Sequence, residues 1–254
     1  MNEGFSKLMR SKPAMWVRSG LFLLVFQLTL PVFGTLTLLC FPFPFRIRYG
    51  VATQWARVSL WWLKVSCGLS YRVTGSEHIP TQTAIIFSKH QSSWETFALQ
   101  EIFPPQVWVL KRELLKLPFF GWGLASLGAI AIDRGAGRKA IEQLVEQGRQ
   151  RLESGRWVVV FPEGTRIPPG ERGRYRIGGA VLAERSGHPI VPVAHNAGEY
   201  WPPRSFLMRP GVIQVVIGPP ITSHGRPAAE ILQEAEDWIE DSMSRITSPT
   251  FQKQ

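Results

Sequence analysis

Residues 90–95 read His-Gln-Ser-Ser-Trp-Glu, and residues 161–166 read Phe-Pro-Glu-Gly-Thr-Arg. A histidine five places before a carboxylate is a candidate general base with a partner to orient it. Inside one helix, five residues at 3.6 per turn would separate His90 and Glu95 by about 140°. The pairing therefore needs His90 in a loop that folds back onto a helix start, which Ser92 or Ser93 can cap. There Glu95 would fix the imidazole tautomer and stabilise the imidazolium, and the other ring nitrogen could take a proton from a hydroxyl. In the second block Gly164 permits a tight turn, and Arg166 can grip a phosphate through two parallel hydrogen bonds. Taken singly, each block also fits a structural histidine or a solvated turn arginine.

Both blocks follow apolar, β-branched runs that read as strands: Thr83–Ser88 before His90, and Trp157–Phe161 before Glu163. A third run, Ala129–Ile132, ends in Asp133-Arg134, and the short strand Val107–Leu110 ends in Lys111-Arg112. Helical spacing fills the gaps, over Leu114–Gly128 with a break near Pro118, over Arg138–Ser154, over Ala180–Ser186 and over Pro227–Ile246. Strands alternating with helices predict an α/β fold with a mainly parallel sheet flanked by helices. Such sheets bind ligands beyond the carboxyl ends of their strands, which is where the polar boxes lie.

The two blocks resemble the H-x-x-x-x-D and E-G-T-R boxes of the lysophosphatidic acid acyltransferase family, over roughly residues 70 to 220. Two departures stand out: Glu95 replaces the usual aspartate, one methylene shorter, and Pro162 stands where serine is common. The resemblance implies that His90 and Glu95 are catalytic. It assigns Glu163, Gly164, Thr165 and Arg166 to the glycerophosphate acceptor. Asp133 and Arg134 resemble a further substrate box, with Arg134 on phosphate and Asp133 holding it, while Lys111 could add positive charge at the same rim. Arg174 and Arg176 before Gly178-Gly179, and Val191-Pro192-Val193, match weaker parts of the pattern. The implied reaction uses no metal and no cofactor. His90 activates the hydroxyl of a lysophospholipid acceptor against acyl-CoA or acyl-carrier protein, and helix-start amides after Ser92 are the expected oxyanion donors. Another lysolipid acceptor (a lyso-ornithine lipid or lysophosphatidylglycerol) and a non-catalytic lipid-binding role are the alternatives.

Other classes lose support from the sequence. There is no G-x-x-x-x-G-K-[ST] loop, no G-x-G-x-x-G loop and no G-x-S-x-G elbow, and the five histidines form no metal-binding pattern. The net charge of +10 is concentrated in residues 1–80, where nine Lys/Arg face Glu3 and Glu77. Basic charge beside apolar sequence suits membrane lipids better than nucleic acid. Cys40 and Cys67 show no disulfide framework, which fits a reducing compartment.

Leu21 to Phe45 holds no charged residue, long enough to span a bilayer as a helix, but Pro31 and Gly34 interrupt it. With basic residues on both flanks and no small-x-small cleavage site, the segment is expected to form a broken, re-entrant hairpin rather than a span. An interfacial helix over Val51–Leu69 is expected to follow. The expected division is residues 1–69 as N-terminal apolar membrane helices and 70–254 as the α/β domain. The expected location is the cytoplasmic face of the bacterial inner membrane.

Overall fold

The structure, a computed structural model, describes residues 11–251; Arg134 is described by its backbone alone. Seven strands form one sheet in the order β1-β7-β6-β2-β5-β3-β4. They are β1 (Leu69–Thr74), β2 (Ile85–Ser88), β3 (Gln106–Lys111), β4 (Ile130–Ile132), β5 (Trp157–Val160), β6 (Ile190–His195) and β7 (Gly211–Ile217). All neighbouring pairs are parallel except β6–β7, which is antiparallel. The helices are α1 (Lys12–Leu39), α2 (Phe45–Cys67), α3 (Glu95–Ile102), α4 (Phe120–Ser126), α5 (Arg138–Glu153), α6 (Gly178–Ser186), the short α7 (Ala197–Tyr200) and α8 (Ala228–Ile246).

The central strands explain the two-layer core. In β2, Ile86 registers with Val159 of β5 and Val191 of β6. Those three side chains face one side, packing with Trp55, Leu63, Phe97 and other residues of α2 and α3. Ile85 and Phe87 face the other side, with Leu144, Leu182 and Ile239 of α5, α6 and α8. Because both faces are covered, β2, β5 and β6 are fully buried and read as unbroken apolar runs.

The amino-terminal element departs from expectation. It is not broken at Pro31 and Gly34: α1 runs through both, and the chain reverses instead at residues 40–44, where Pro42 and Pro44 stop it. Proline removes one helical hydrogen bond, but Leu23, Phe26, Leu30 and Phe33 of α1 pack on the core along the same helix and hold it. Gly34 is kept bare for a neighbour, since a Cβ there would lie 2.8 Å from Phe119 Cβ. The second helix begins at Phe45, six residues before the expected start. Along α1 an exposed apolar stripe (Leu21, Leu24, Leu28, Val32, Leu36, Leu39) faces away from the protein. Length and composition suit that helix to a membrane.

Two other local expectations change. The helical stretch expected over 114–128 is broken near Pro118 as expected, but its first part is a 3₁₀ turn (Arg112–Lys116) rather than α-helix, and α4 follows. Between them Phe120 N–H donates to the Pro118 carbonyl, with Phe119 at φ +60°, a γ-turn that a helix cannot pass through. At the start of α3 the cap position belongs to Trp94 rather than to Ser92 or Ser93, although the Ser92 hydroxyl accepts the Trp94 N–H at 3.2 Å.

Candidate active site

His90 lies in the loop between β2 and α3, and Glu95 is the first residue of α3. Folding back in this way, His90 Nδ1 donates to Glu95 Oε1 at 2.8 Å. The same oxygen accepts the N–H groups of Gln91 (3.1 Å) and Ser92 (2.9 Å), so the longer side chain is clamped in place. Glu95 is fully buried. Burial alone would push its carboxyl up; the hydrogen bond from His90, the neighbouring histidines and the Ser92 amide outweigh it and hold the carboxyl below its ordinary range. With Nδ1 committed, Nε2 is the free basic nitrogen. Phe161 stacks on the imidazole at 4.1 Å between centroids and limits its rotation.

Glu163 sits elsewhere than its assignment to substrate suggests. It is buried, with Oε2 accepting the backbone N–H of His90 at 2.8 Å and Oε1 2.6 Å from Lys89 Nζ. Desolvation pushes this carboxyl up against the pull of Lys89 and the His90 amide. Lys89, equally buried, also meets Glu240 Oε1 at 2.8 Å, which Tyr175 hydroxyl contacts in turn. Glu163 therefore touches the loop that carries His90 rather than the cavity.

The other end of that peptide is held too. His195 Nε2 donates to the Lys89 carbonyl at 2.8 Å, and the Ala197 N–H points at its Nδ1 at 3.4 Å. Those contacts fit a neutral ring, and burial pushes the His195 imidazole below its ordinary range. The unfolded chain then binds a proton that the folded one refuses, so this group lowers stability as pH falls below about 6.5 and is silent above. Thermal melts between pH 8 and 5 are expected to show a decline below that point which His195→Gln reduces.

His90 opens on an apolar cavity of about 570 Å³. Its walls come from α1 (Leu23, Phe26, Leu30), from Trp55 of α2, and from the 114–124 excursion. Arg166 lies on the same wall, exposed, with no carboxylate of the described residues within 4 Å. Gly164 adopts φ +68°, the left-handed turn expected of it, and Thr165 is exposed beside Arg166. Lys111 and Asp133 do not line the cavity. Lys111 pairs with Glu113 at 3.4 Å in solvent, and Asp133 Oδ1 accepts the Gly135 N–H at 2.9 Å as a turn cap. The Arg134 side chain lies outside the described residues. Of the expected oxyanion donors, the helix-start amides after Ser92, that of Trp94 is committed to the Ser92 hydroxyl and that of Thr96 to the Ser93 carbonyl.

Sequence reasoning missed Lys89, His195 and the aliphatic wall from α1. A lysine directly after a buried strand was the available signal for the first. Nothing in the spacing of His195 tied it to His90, because the two strands meet only in the sheet.

Residues 70–196 match the family described as Acyltransferase. The chain is 48% identical over 242 residues to a 1-acyl-sn-glycerol-3-phosphate acyltransferase of Pseudomonas aeruginosa, covering 93% of this chain and 94% of that one. A protein of the same name from Saccharomyces cerevisiae is 32% identical, covering 76% of this chain and 67% of the relative. The crystal structure of the 1-acyl-sn-glycerophosphate (LPA) acyltransferase PlsC from Thermotoga maritima superimposes with a TM-score of 0.75 at 20% identity. It covers 90% of this chain and 94% of its own.

Proposed function

The chain belongs to the acyltransferase family, and from that premise we propose that it moves a fatty acyl group from an acyl thioester to the free hydroxyl of lysophosphatidic acid, giving phosphatidic acid. The observation that carries this reading is the His90–Glu95 pair at the wall of an apolar cavity that also bears Arg166. His90 Nε2 takes the proton of the acceptor hydroxyl as its oxygen attacks the thioester carbonyl, and Glu95 stabilises the imidazolium. The tetrahedral adduct collapses to the ester and a thiolate, which takes the proton back from His90. An acyl chain suits the cavity's aliphatic and aromatic lining, and the acceptor phosphate suits Arg166. The donor is acyl-CoA or acyl-carrier protein.

The exposed stripe of α1 and the exposed aromatic residues of the 40–44 turn support a monotopic seat on the membrane that supplies the lipid substrate. Basic residues flanking both ends of the apolar segment favour the cytoplasmic face of a bacterial inner membrane.

Purified protein in detergent, given oleoyl-CoA and a panel of lysolipids, tests the reaction. Product from lysophosphatidic acid is expected. Product from a different lysolipid alone would move the substrate, and no product with any thioester donor would overturn the reading. Arg166→Ala is expected to raise the acceptor KM by about 10-fold to 100-fold, the worth of hydrogen bonds to a charged group. An unchanged acceptor KM would remove the phosphate role.

A further inference from the structure

Three arginines converge at the end of the sheet opposite His90. Arg48, in the first turn of α2, donates from Nη1 to the Ser126 carbonyl at 2.6 Å. Arg151, near the end of α5, donates from Nε to the Gly128 carbonyl at 2.9 Å. Arg156, just before β5, reaches the same spot: a Cβ built on Gly128 would lie 3.1 Å from Arg156 Nη1 and 3.2 Å from Arg151 Nε. Among the described residues no carboxylate lies within 4 Å of any of the three. Arg48 Nε is buried without a hydrogen-bond partner. Partial burial, then the charges of Arg151 and Arg48, push the Arg156 guanidinium below its ordinary range.

Capping explains part of this. The two carbonyls lie at and just beyond the carboxyl end of α4, where a cation is favourable, and Arg156 and Arg48 lie over the rings of Phe45 (4.5 Å) and Phe41 (5.2 Å). Carbonyl dipoles and ring faces offer partial charges, whereas three full positive charges are confined together. Mutual repulsion at that range costs stability unless an anion balances it. Guanidinium forks from three directions match the oxygens of a phosphate.

Location indicates the source of that phosphate. The cluster adjoins the 40–44 turn, where Phe41 and Phe43 are 63% and 53% exposed, and Ile47 beside Arg48 is exposed as well. His90 follows the carboxyl end of β2, whereas Arg156 and Gly128 precede β5 and β4, which run parallel to it within the sheet. We propose that Arg48, Arg151 and Arg156 form a second phosphate site, for the headgroup of an anionic membrane phospholipid, distinct from the acceptor phosphate at Arg166. It would fix the turn of the hairpin against the lipid surface. This rests on the membrane-seated reading of the hairpin given above.

The test uses the full chain in neutral detergent, with short-chain phosphatidylglycerol, short-chain phosphatidylcholine and inorganic phosphate as probes. Phosphatidylglycerol is expected to raise Tm by about 3 °C or more, and the other two are not. Arg156→Gln is expected to abolish the rise while leaving the ligand-free Tm no lower than wild type, because it relieves repulsion; a merely structural arginine would lower it. Arg185→Gln, which removes one charge from an exposed site on α6, should keep the rise. If Arg156→Gln does not fold, Arg156→Lys, which keeps the charge and loses the fork, should lose more than half of the rise. A full rise in the Arg156 variant, or an equal loss in Arg185→Gln, overturns the site. An equal rise with inorganic phosphate overturns the lipid source. Flotation with neutral vesicles tests the membrane seat separately: protein that floats but shows no Arg156-dependent rise keeps that seat and loses this site.

Discussion

His90→Ala is expected to lower kcat by at least about 10²-fold with little change in the acceptor KM, the usual worth of a positioned general base. The fold should tolerate it. The loop is held by backbone groups that alanine retains: the residue-90 N–H on Glu163 and the residue-90 carbonyl, which accepts the Ile167 N–H at 2.8 Å. What disappears is the imidazole between Glu95 and the cavity. Glu95→Gln makes a sharper companion. One oxygen of Glu95 takes all three contacts, from His90 Nδ1 and the amides of Gln91 and Ser92. Glutamine can keep that oxygen in place and preserve the tautomer, but it cannot offset the charge of an imidazolium. A kcat loss with normal folding is therefore expected from the glutamine variant. Steady-state acyl transfer beside a thermal melt checks both, and full turnover in His90→Ala would refute the assignment.

The largest stability effect is expected from Lys89→Met, a loss of about 3–5 kcal/mol, as for a buried ion pair deprived of one partner. Methionine fills most of the space but leaves Glu163 and Glu240, both gathered on Lys89 Nζ, without a counter-charge. Glu163 is already pushed up by burial, and without Lys89 its cheapest response is to take a proton. A neutral Glu163 accepts the His90 N–H less strongly, so activity should fall along with stability. Chemical denaturation in a fixed detergent measures the first effect. Combining Lys89→Met with Glu163→Gln and Glu240→Gln should recover a substantial part of it, since no buried charge is then left alone. A single variant as stable as wild type would show that the cluster is not what anchors the loop.

The pairing of His90 with Glu95 was legible because its constraint is local: five residues and one helix start decide it. The strands were legible for a similar reason, their apolar runs being bounded by polar turns. The placement of Glu163 was not, because Lys89, which it shares with Glu240, and the His90 amide reach it only when β2, β5 and α8 pack. Nor was the antiparallel β6–β7 pair, whose direction depends on how the chain returns after α7. Pro31 and Gly34 misled for a physical reason. Proline and glycine weaken a lone helix, but here Leu30 and Phe33 pack on the core, Thr37 is buried one turn on, and the missing glycine side chain makes room for Phe119.

That last contact bears on how the protein could be dissected. Gly34 of α1 meets the γ-turn at Phe119, and α1 and α2 supply one wall of the cavity into which His90 opens. A shortened protein beginning at residue 70 would keep every polar group of the site and still present His90 to open solvent along that side. Attempts to obtain a detergent-free enzyme by trimming the hairpin should fail for that reason. Recoding the outward stripe of α1 to polar residues, with its inward face untouched, is the version of the experiment that leaves the reaction chamber closed.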